Sequence, residues 1–564
     1  MKKNNLWLGV SLLMVVALVL PSCAPAAVTP TEAIPSLANQ ILPNPTETLQ
    51  PAPNAVPKPE GTVVIRLDSA YEEGFIPWIG SGSQYRIWEI VYDYLIYTKM
   101  DGTNIGGLAE RWEESADALT VTAWLRKGIQ WQGGWGEVTA EDVKYTYDQL
   151  MSEGSMNSRA STLRDSIESI EIVDRYTITW HLKAANPAWW QNLTDIGYSQ
   201  GPIVCKNYIE KVGELEASVQ PIGSGPYRLV EHQFGDYLKF EALDEHWRVV
   251  PEFKYLIIKI VPEDSTAVAM LKTGALDATT VSSSERPELE NAGFGVSTVP
   301  GGDAVSFVFG GMTSPLDDRY VEGYDQQDPW TDVRVREAMS IAIDRQAIID
   351  ALYFGAATPI PVSWLVPGWK DLEPVPYDPV RAKQLLAEAG FPNGFSFQIL
   401  TPPIEPAFSK LAEAVAGYWE EIGLKPEIVI VDKAVVNTEY IYPQKTAGYV
   451  YPAANSFRTD YSTNMVSRFT YNGKNSYYQD PEIQALFDKL VPETDWVKRN
   501  ELWGEIAKYL HDNYITVPIG DIGATWAFSS KIEKMSPMLS NELGNFEYLR
   551  HAQPLNTFRL FDLE

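Results

Sequence analysis

Strand and helix signals alternate from Gly61 onward, and this alternation constrains the fold more than any other feature of the sequence. Short β-branched or apolar runs of strand length occur at residues 62–67, 177–182, 256–261 and 427–431. Amphipathic helical segments lie between them, and no fixed-period repeat or heptad pattern persists. Strands that alternate with helices favour an α/β protein. The 564 residues are enough for several lobes.

The helices are specified by their first residues. Asp-Pro steps at 378–379 and 480–481 combine a capping side chain with a proline that the first helical turn accepts. Gly390 ends the first of these helices. Thr139 with Asp142 three residues later resembles a capping box. The sequence therefore predicts helices beginning after residues 139, 378 and 480.

The first residues resemble an export signal. Two lysines precede an apolar run at residues 6–20, which is too short to span a bilayer comfortably. Leu20-Pro21-Ser22-Cys23 resembles a bacterial lipobox. We predict a signal peptide at 1–22 and lipidation of Cys23, which would anchor an exported lipoprotein to the outer face of the cytoplasmic membrane. A periplasmic and a cell-surface location both stay open.

Residues 23–60 are rich in proline and have no periodic apolar face, so this segment is predicted to be a semi-rigid tether. With Cys23 lipidated, Cys205 has no disulfide partner among the exported residues and is predicted to be a small buried hydrophobe. The formal net charge of −29 would repel a phosphate backbone. Nucleic acid is therefore not an expected partner.

No pattern in the chain predicts catalysis. The histidines are scattered without metal-binding spacing and are His181, His232, His246, His511 and His551. Gly-Ser-Gly-Pro at 223–226 lacks the G-x-S-x-G spacing of a nucleophile elbow and predicts a tight turn before a strand at 227–230. We expect no enzyme activity, no cofactor and no metal site.

Aromatic residues are abundant, and several stand in polar or Gly/Pro-rich segments, where they either line a ligand cleft or fill the core. The aromatic residues in such segments are Trp78, Tyr85, Trp131, Trp135, Trp364 and Trp369. Of these, Trp364 is taken as a candidate ligand contact.

A series of motifs resembles family 5 of the extracellular solute-binding proteins, the oligopeptide, dipeptide and nickel receptors of ABC importers. The motifs, in order, are V-Y-D-Y-L at 91–95, G-L-A-E-R-W at 107–112, W-L-R-K-G-I-Q-W at 124–131, T-A-E-D-V at 139–143, P-I-G-S-G-P-Y at 221–227, a helix running from D-V-R-V-R-E-A to A-I-D-R at 332–345, and Y-D-P to L-L-A-E-A-G-F at 377–391.

The resemblance implies a periplasmic-binding-protein-like fold with two α/β lobes joined by a hinge and a third domain inserted in the first lobe. Lobe one would comprise residues 61–97, 200–310 and 518–564. The inserted domain would be 98–199, and lobe two 311–517.

The resemblance also implies function. The lobes would close on a ligand and deliver it to ABC permease subunits, with the receptor acting as a monomer. Ligand contacts that exist only in the closed state would shift the population toward closure. Oligopeptides are the leading ligand class.

Two segments carry the expected contacts. Peptide-binding relatives use an aspartate in a W-x-x-D-Y segment for the ligand α-amino group, and here Phe457, Arg458, Asp460 and Tyr461 stand in the matching segment, with Asp460 as the amine partner. Residues 79–85 would offer backbone groups to an extended ligand. The candidates there are Gly80, Ser81, Gly82 and Tyr85, and the glycines would permit close approach.

Three alternatives stay open. Tripeptide-selective relatives carry an arginine where this chain has Ala453-Ala454-Asn455, and the many tryptophans suit sugars, so the same scaffold could bind oligosaccharides. A nickel chelate is less favoured because His and Cys are not clustered. From a different class, the plentiful acidic residues leave a lipid-anchored hydrolase as an alternative.

Overall fold

The computed structural model describes residues 58–69, 73–80, 84–99, 103–187, 189–195, 201–318, 328–401, 406–432, 435–456, 462–471, 473, 475–533, 535, 537–538, 541–544, 546–553 and 559–560. All of these residues belong to one unit of the chain, 45–564. The predicted signal peptide, Cys23 and the tether as far as residue 57 lie outside the described residues.

The strands, in chain order, are β1 (Glu60–Leu67), β2 (Ile96–Thr98), β3 (Asn104–Gly106), β4 (Ala109–Glu114), β5 (Thr120–Leu125), β6 (Ile167–Asp174), β7 (Thr177–Leu182), β8 (Tyr227–Gln233), β9 (Tyr237–Ala242), β10 (Phe253–Ile260), β11 (Ala278–Val281), β12 (Gly295–Phe309), β13 (Ala357–Pro359), β14 (Ser396–Thr401), β15 (Lys425–Ile430), β16 (Tyr449–Ser456), β17 (Thr516–Phe528), β18 (Pro537–Met538) and β19 (Asn541–Gly544).

The α-helices are α1 (Tyr85–Val91), α2 (Ala140–Leu150), α3 (Ala160–Ser166), α4 (Lys206–Val212), α5 (Glu214–Val219), α6 (Asp264–Lys272), α7 (Arg286–Asn291), α8 (Val333–Ile341), α9 (Arg345–Tyr353), α10 (Pro379–Glu388), α11 (Pro406–Glu421), α12 (Ser462–Phe469), α13 (Pro481–Leu490) and α14 (Trp496–Asp512). A π-helix covers Val436–Ile441.

One large mixed sheet runs through the described residues in the order β15-β14-β16-β12-β17-β11-β1-β10-β9-β8, and β13 pairs with β17. The two longest strands, β12 and β17, are antiparallel neighbours at its centre. Parallel strands flank them on both sides, because β14 pairs in parallel with β15 and β16, and β1 with β10 and β11. The antiparallel sheet β4-β5-β7-β6 is separate.

The hydrophobic core divides along β12 and β17. The first core takes its buried side chains from residues 63–278 and 526–549, and it includes those of the sheet β4-β5-β7-β6. The second and third cores take theirs from residues 305–519 and 308–515. This mixed α/β arrangement is the two-lobed fold that the sequence predicts. The residue limits of the domains stay predictions.

The predicted helix starts are confirmed. The side chains of Asp378 and Asp480 accept hydrogen bonds from backbone N–H groups of the first turns of α10 and α13. Thr139 and Asp142 form the predicted capping box, with the Thr139 N–H donating to Asp142 Oδ2 over 2.9 Å. Cys205 is buried, as predicted, and burial raises the pKa of its thiol to about 12.

The segment 332–345, predicted as one helix, forms two. Asp332 caps α8 by accepting from the Arg334 N–H, and Asp344 caps α9 by accepting from the Ala347 N–H. The buried guanidinium of Arg345 donates to the backbone carbonyl oxygens of Ser340 and Pro518. The chain breaks between the helices because each aspartate offers its own cap. Among the described residues, no helix is both long enough and apolar enough to cross a bilayer.

Candidate functional site

The candidate site lies where two sets of parallel strands direct their carboxyl ends toward each other. The register of β16 on β12 pairs Ser456 with Asp303, so β14, β15 and β16 run toward the middle of β12. The register of β11 on β17 pairs Val281 with Thr525, so β1, β10 and β11 run toward the same level from the other side. Ligands of open α/β sheets bind outside the carboxyl ends of the strands.

The strands that connect the two halves change register at this level. Val299 pairs with Ala524 and Asp303 pairs with Ile522, so residues 300–302 of β12 face the single residue Gly523 of β17. Such a bulge bends the strands and interrupts the ladder. The first core is thus connected to the second and third cores through β12 and β17 at the line where the carboxyl ends meet.

The segment 73–80 follows the carboxyl end of β1 and is held by several side chains. Trp88 Nε1–H donates to the Gly74 carbonyl oxygen over 2.7 Å, and Tyr92 O–H donates to the Phe75 carbonyl oxygen over 2.9 Å. From the sheet β4-β5-β7-β6 side, Asn157 Nδ2–H donates to the Pro77 carbonyl oxygen over 2.8 Å. These bonds fix the backbone of this segment.

Gly80 and Tyr85 are the described members of the first predicted contact segment, since Ser81 and Gly82 lie outside the described residues. Gly80 is buried, and a Cβ atom on it would lie 1.8 Å from Nε2 of Gln84. The close approach at Gly80 is therefore made by a side chain of this chain. Tyr85 begins α1, is half-buried and packs against the first core.

One turn after Tyr85, Glu89 is buried within α1. Burial, with the neighbouring carboxylates of Glu547 and Asp195, raises its pKa well above the ordinary value. Its Oε1 atom has no hydrogen-bond partner among the described residues. Burial thus favours the uncharged form of this carboxyl group, since an unpaired buried charge is costly.

The second predicted contact segment connects β16 to α12. Phe457, Arg458, Asp460 and Tyr461 themselves lie outside the described residues. Their flanks are described: β16 ends at Ser456, opposite Asp303, and α12 begins at Ser462. The chain therefore enters this segment at the line of carboxyl ends. At the neighbouring end of β14, Thr401 is fully buried and its Oγ1 has no hydrogen-bond partner in the described part of the chain.

Trp364 is not brought to this line. Its ring is fully buried in the third core, in edge contact with Phe469 at 4.9 Å between ring centroids and close to Tyr477. The neighbouring Ser363 hydroxyl lies within hydrogen-bond distance of Thr516, the first residue of β17. Thr516 precedes the register change by six residues, or about 20 Å of extended strand. A ligand contact by Trp364 remains a prediction without positional support.

The turn at residues 223–226 is structural, as the sequence indicates, and β8 follows it. A Cβ on Gly223 would lie 1.8 Å from the Val91 carbonyl oxygen, so the turn packs directly on the end of α1. Ser224 Oγ–H donates to Asp93 Oδ2 over 3.0 Å and is buried. The serine is thus engaged by a carboxylate that supports the first core.

Asp93 is the centre of a buried ion pair that the sequence does not reveal. Arg248 Nη2–H donates to its Oδ1 over 2.8 Å, and Trp247 Nε1–H donates to its Oδ2 over 2.9 Å. Burial by itself would raise the pKa of Asp93, but the charge of Arg248 and a hydrogen bond from His246 hold it well below its usual range. The motif at 91–95 contains the aspartate, but nothing in the sequence pairs it with residue 248.

The side chains that commonly ligate metals are dispersed in the described part of the chain. Within the described ranges, no three His, Cys, Asp or Glu side chains are grouped so that they could hold a metal ion. A shallow depression of about 450 Å³ is lined by β14, β15 and β16 residues including Ser396, Lys425 and Tyr449. It lies at the amino ends of these strands, away from the line of carboxyl ends, and is not part of the candidate site.

The fold is the two-lobed α/β fold of periplasmic binding proteins, and the candidate site lies between the two halves of the large sheet. The family model described as "Bacterial extracellular solute-binding proteins, family 5 Middle" matches residues 104–478, well over half of the chain. The chain therefore belongs to family 5 of the bacterial extracellular solute-binding proteins. It is a substrate-binding receptor of the ABC transporter type and not an enzyme, and family membership also supports export.

Individual relatives differ in what their names say they bind. "Heme-binding protein A" of Haemophilus influenzae is 26% identical over 76% of this chain and 81% of its own length. "Dipeptide-binding protein" of Escherichia coli is 28% identical over 63% of this chain and 69% of its own length. Among solved structures, the oligopeptide-binding protein AppA of Bacillus subtilis, in complex with a nonapeptide, covers 88% of this chain and 100% of its own, with 20% identity and a TM-score of 0.61.

Proposed function

We propose that this chain is a lipid-anchored receptor that captures oligopeptides between its lobes and delivers them to the permease of an ABC importer. The observation that carries the proposal is the meeting of two sets of strand carboxyl ends at the register change of β12 and β17. A ligand bound there contacts both halves of the sheet. Contacts to both lobes exist only when the lobes are closed, so binding and closure are coupled.

Asp460 is proposed as the partner of the peptide α-amino group. It belongs to the segment that leaves β16 at the line of carboxyl ends. A carboxylate and an ammonium group form a charge-assisted hydrogen bond, which is stronger where the closed lobes exclude water. Phe457, Arg458 and Tyr461 flank it. Gly80, Ser81, Gly82 and Tyr85 are proposed to contact the peptide from the opposite lobe.

Titration calorimetry of the full chain with peptides of two to nine residues tests the proposal. We expect heat with free peptides, a roughly 10- to 100-fold loss of affinity for Asp460→Asn, and the same loss when the wild type is offered N-acetylated peptides. N-acetylated peptides should bind the wild type and Asp460→Asn with the same affinity. Asp350→Asn, an exposed aspartate of α9, is the matched control and should bind normally.

Other ligand classes are further arms of the same titration. An oligosaccharide mixture tests the alternative that the abundant tryptophans favour, heme tests the class in the name of one relative, and a nickel chelate tests the third alternative. Heat with any of these, and none with peptides, would overturn the peptide proposal. A chromogenic glycoside panel with flat kinetics would dispose of the hydrolase alternative.

The anchor is tested separately. Cys23→Ser should abolish incorporation of labelled fatty acid and release the chain from the membrane fraction. Cys205→Ser is the matched control, because Cys205 is buried and should have no role in attachment. Membrane retention without Cys23, with no fatty acid bound, would contradict a lipid anchor.

A further inference from the structure

A chain of tryptophan rings connects the first core with α14. Trp112 of β4 and Trp190 of the 3₁₀-helix Trp189–Leu193 have ring centroids 5.7 Å apart. Trp190 in turn meets Trp496, the first residue of α14, at 5.9 Å with the rings inclined by 68°. We call these three residues the tryptophan bridge. All three are half-buried, so the bridge lies at an accessible edge of the protein.

The two ends of the tryptophan bridge are held by different cores. On one side, Trp189 next to Trp190 is buried in the first core and donates its Nε1–H to Ser166 Oγ over 3.1 Å. On the other side, Asp495 caps α14 by accepting from the Val497 N–H over 2.9 Å. The inner face of α14 packs in the third core. Neither end can move without its own core.

A carboxyl group and a guanidinium group accompany the rings. Glu114, two residues after Trp112 in β4, is half-buried, and its Oε2 has no hydrogen-bond partner among the described residues. Burial raises the pKa of this carboxyl group, and the charge of Arg499, in the first turn of α14, opposes that rise. Arg499 is fully buried and donates to the Leu490 carbonyl oxygen over 2.7 Å, which fixes α14 to the end of α13.

The helix α14 ends at Asp512, shortly before β17 begins at Thr516. Along the chain, β12 and β17 join the first core to the second and third cores. The tryptophan bridge is a further contact between the same two bodies.

We propose that the tryptophan bridge is a clasp that holds the two lobes together without ligand and thereby sets the fraction of receptor in the bridged conformation. Rotation about the hinge strands separates Trp190 from Trp496, because each ring moves with its own core. An edge-to-face aromatic pair changes an equilibrium by about 2- to 12-fold beyond the area it buries. The bridge is small enough to break in each cycle of capture and release.

The inference rests on the proposed function in one respect, namely that the lobes open and close. Its test uses no ligand, so its failure and a failure of peptide binding are distinguishable. Spin labels on Glu153→Cys, near the end of α2, and Lys489→Cys, on α13, report the separation of the two bodies in the full chain. Cys205 is buried and does not compete for the label, and Cys23 is replaced by serine in every labelled protein.

Trp190→Ala and Trp496→Ala should each move the ligand-free distance distribution toward longer distances, with a 2- to 12-fold fall in the ratio of bridged to open receptor. The double variant should show no larger change than either single variant, because both remove the same contact. Trp496→Phe should retain most of the bridged population. Trp135→Ala is the matched control, since Trp135 meets Tyr208 at 5.1 Å within the first core alone.

The proposal is overturned if the distances are unchanged in both single variants, if the two effects add, or if Trp135→Ala changes the distances equally. Should an alanine variant fail to fold, Trp190→Leu and Trp496→Leu, which remove the aromatic ring but keep an apolar side chain, decide the question with their double variant through the same non-additivity.

Discussion

Gly80→Ala is the sharpest test of why the first contact segment needs glycine. The added Cβ would lie 1.8 Å from Gln84 Nε2, whereas ordinary van der Waals contact begins at 3.4 Å, so the amide would have to move by about 1.6 Å. Gln84 is only 2% exposed and has no solvent into which to move. Overpacking of this kind costs about 1–3 kcal/mol.

Urea denaturation of the full chain measures that cost, and peptide calorimetry measures its effect on the site. We expect Gly80→Ala to lower the free energy of unfolding by about 1–3 kcal/mol. Gln84→Ala removes the obstructing amide, so the double variant should be no less stable than Gln84→Ala alone. This double-mutant cycle isolates the contact from any other role of Gln84.

Two results would refute the reasoning. If Gly80→Ala denatures at the wild-type urea concentration, the segment accommodates a side chain and the close approach is not limiting. If the double variant loses as much unfolding free energy as the two single variants lose in sum, the cost of Gly80→Ala does not come from the contact with Gln84. Recovery of stability with persistently weak peptide binding would instead show that the ligand also approaches this glycine.

Two further predictions concern buried carboxyl groups. Asp93→Asn should lower the free energy of unfolding by about 3–5 kcal/mol at pH 7, because Arg248 would stay buried without its partner. Glu388→Gln is the control: it breaks the exposed pair with Arg381 and should leave the urea midpoint unchanged. Equal urea midpoints for the two variants would contradict this account. The pKa of Asp93 lies below its ordinary value, so the difference between wild type and Asp93→Asn should be complete above about pH 4 and shrink at lower pH. Burial raises the pKa of Glu114 to about 8, so folding retains a proton there that the unfolded chain loses above about pH 4.5, and wild-type stability should fall from pH 4.5 to 8. Glu114→Gln should remove this fall, and parallel pH profiles of the two proteins would show that the carboxyl group is not buried in solution.

Local structure was predictable from the sequence where a few neighbouring residues decide it. The Asp-Pro steps at 378–379 and 480–481 start helices because an aspartate cap and a proline act within a single turn. The segment 332–345 was predicted less well. Its motif suggests one helix, although Asp344 is a local capping residue that begins a second one. The hold of the distant Pro518 carbonyl oxygen on Arg345 is the part that leaves no mark in local periodicity.

The candidate site shows the same division. The motif resemblance indicated the class of protein, and the two contact segments that it implies stay predictions. It did not reveal that Gln84 fills the space above Gly80. Trp364 shows a limit of reasoning from composition: its Gly/Pro-rich surroundings left open whether the ring lines a cleft or fills the core, and the structure buries it in the third core. Proline and glycine mark irregular backbone, and irregular backbone can be buried as well as exposed.

By itself, the order of residues determined the alternation of strands and helices, the caps that start the helices, and the membership of a receptor family, because each depends on short stretches of chain or on motifs in series. Only the tertiary structure decided where the two sets of carboxyl ends meet, that Asp93 pairs with Arg248, and that Trp190 touches Trp496. These features join residues separated by 155 to 306 positions. Such contacts are set by strand register and core packing, which act between distant segments only once the chain has folded.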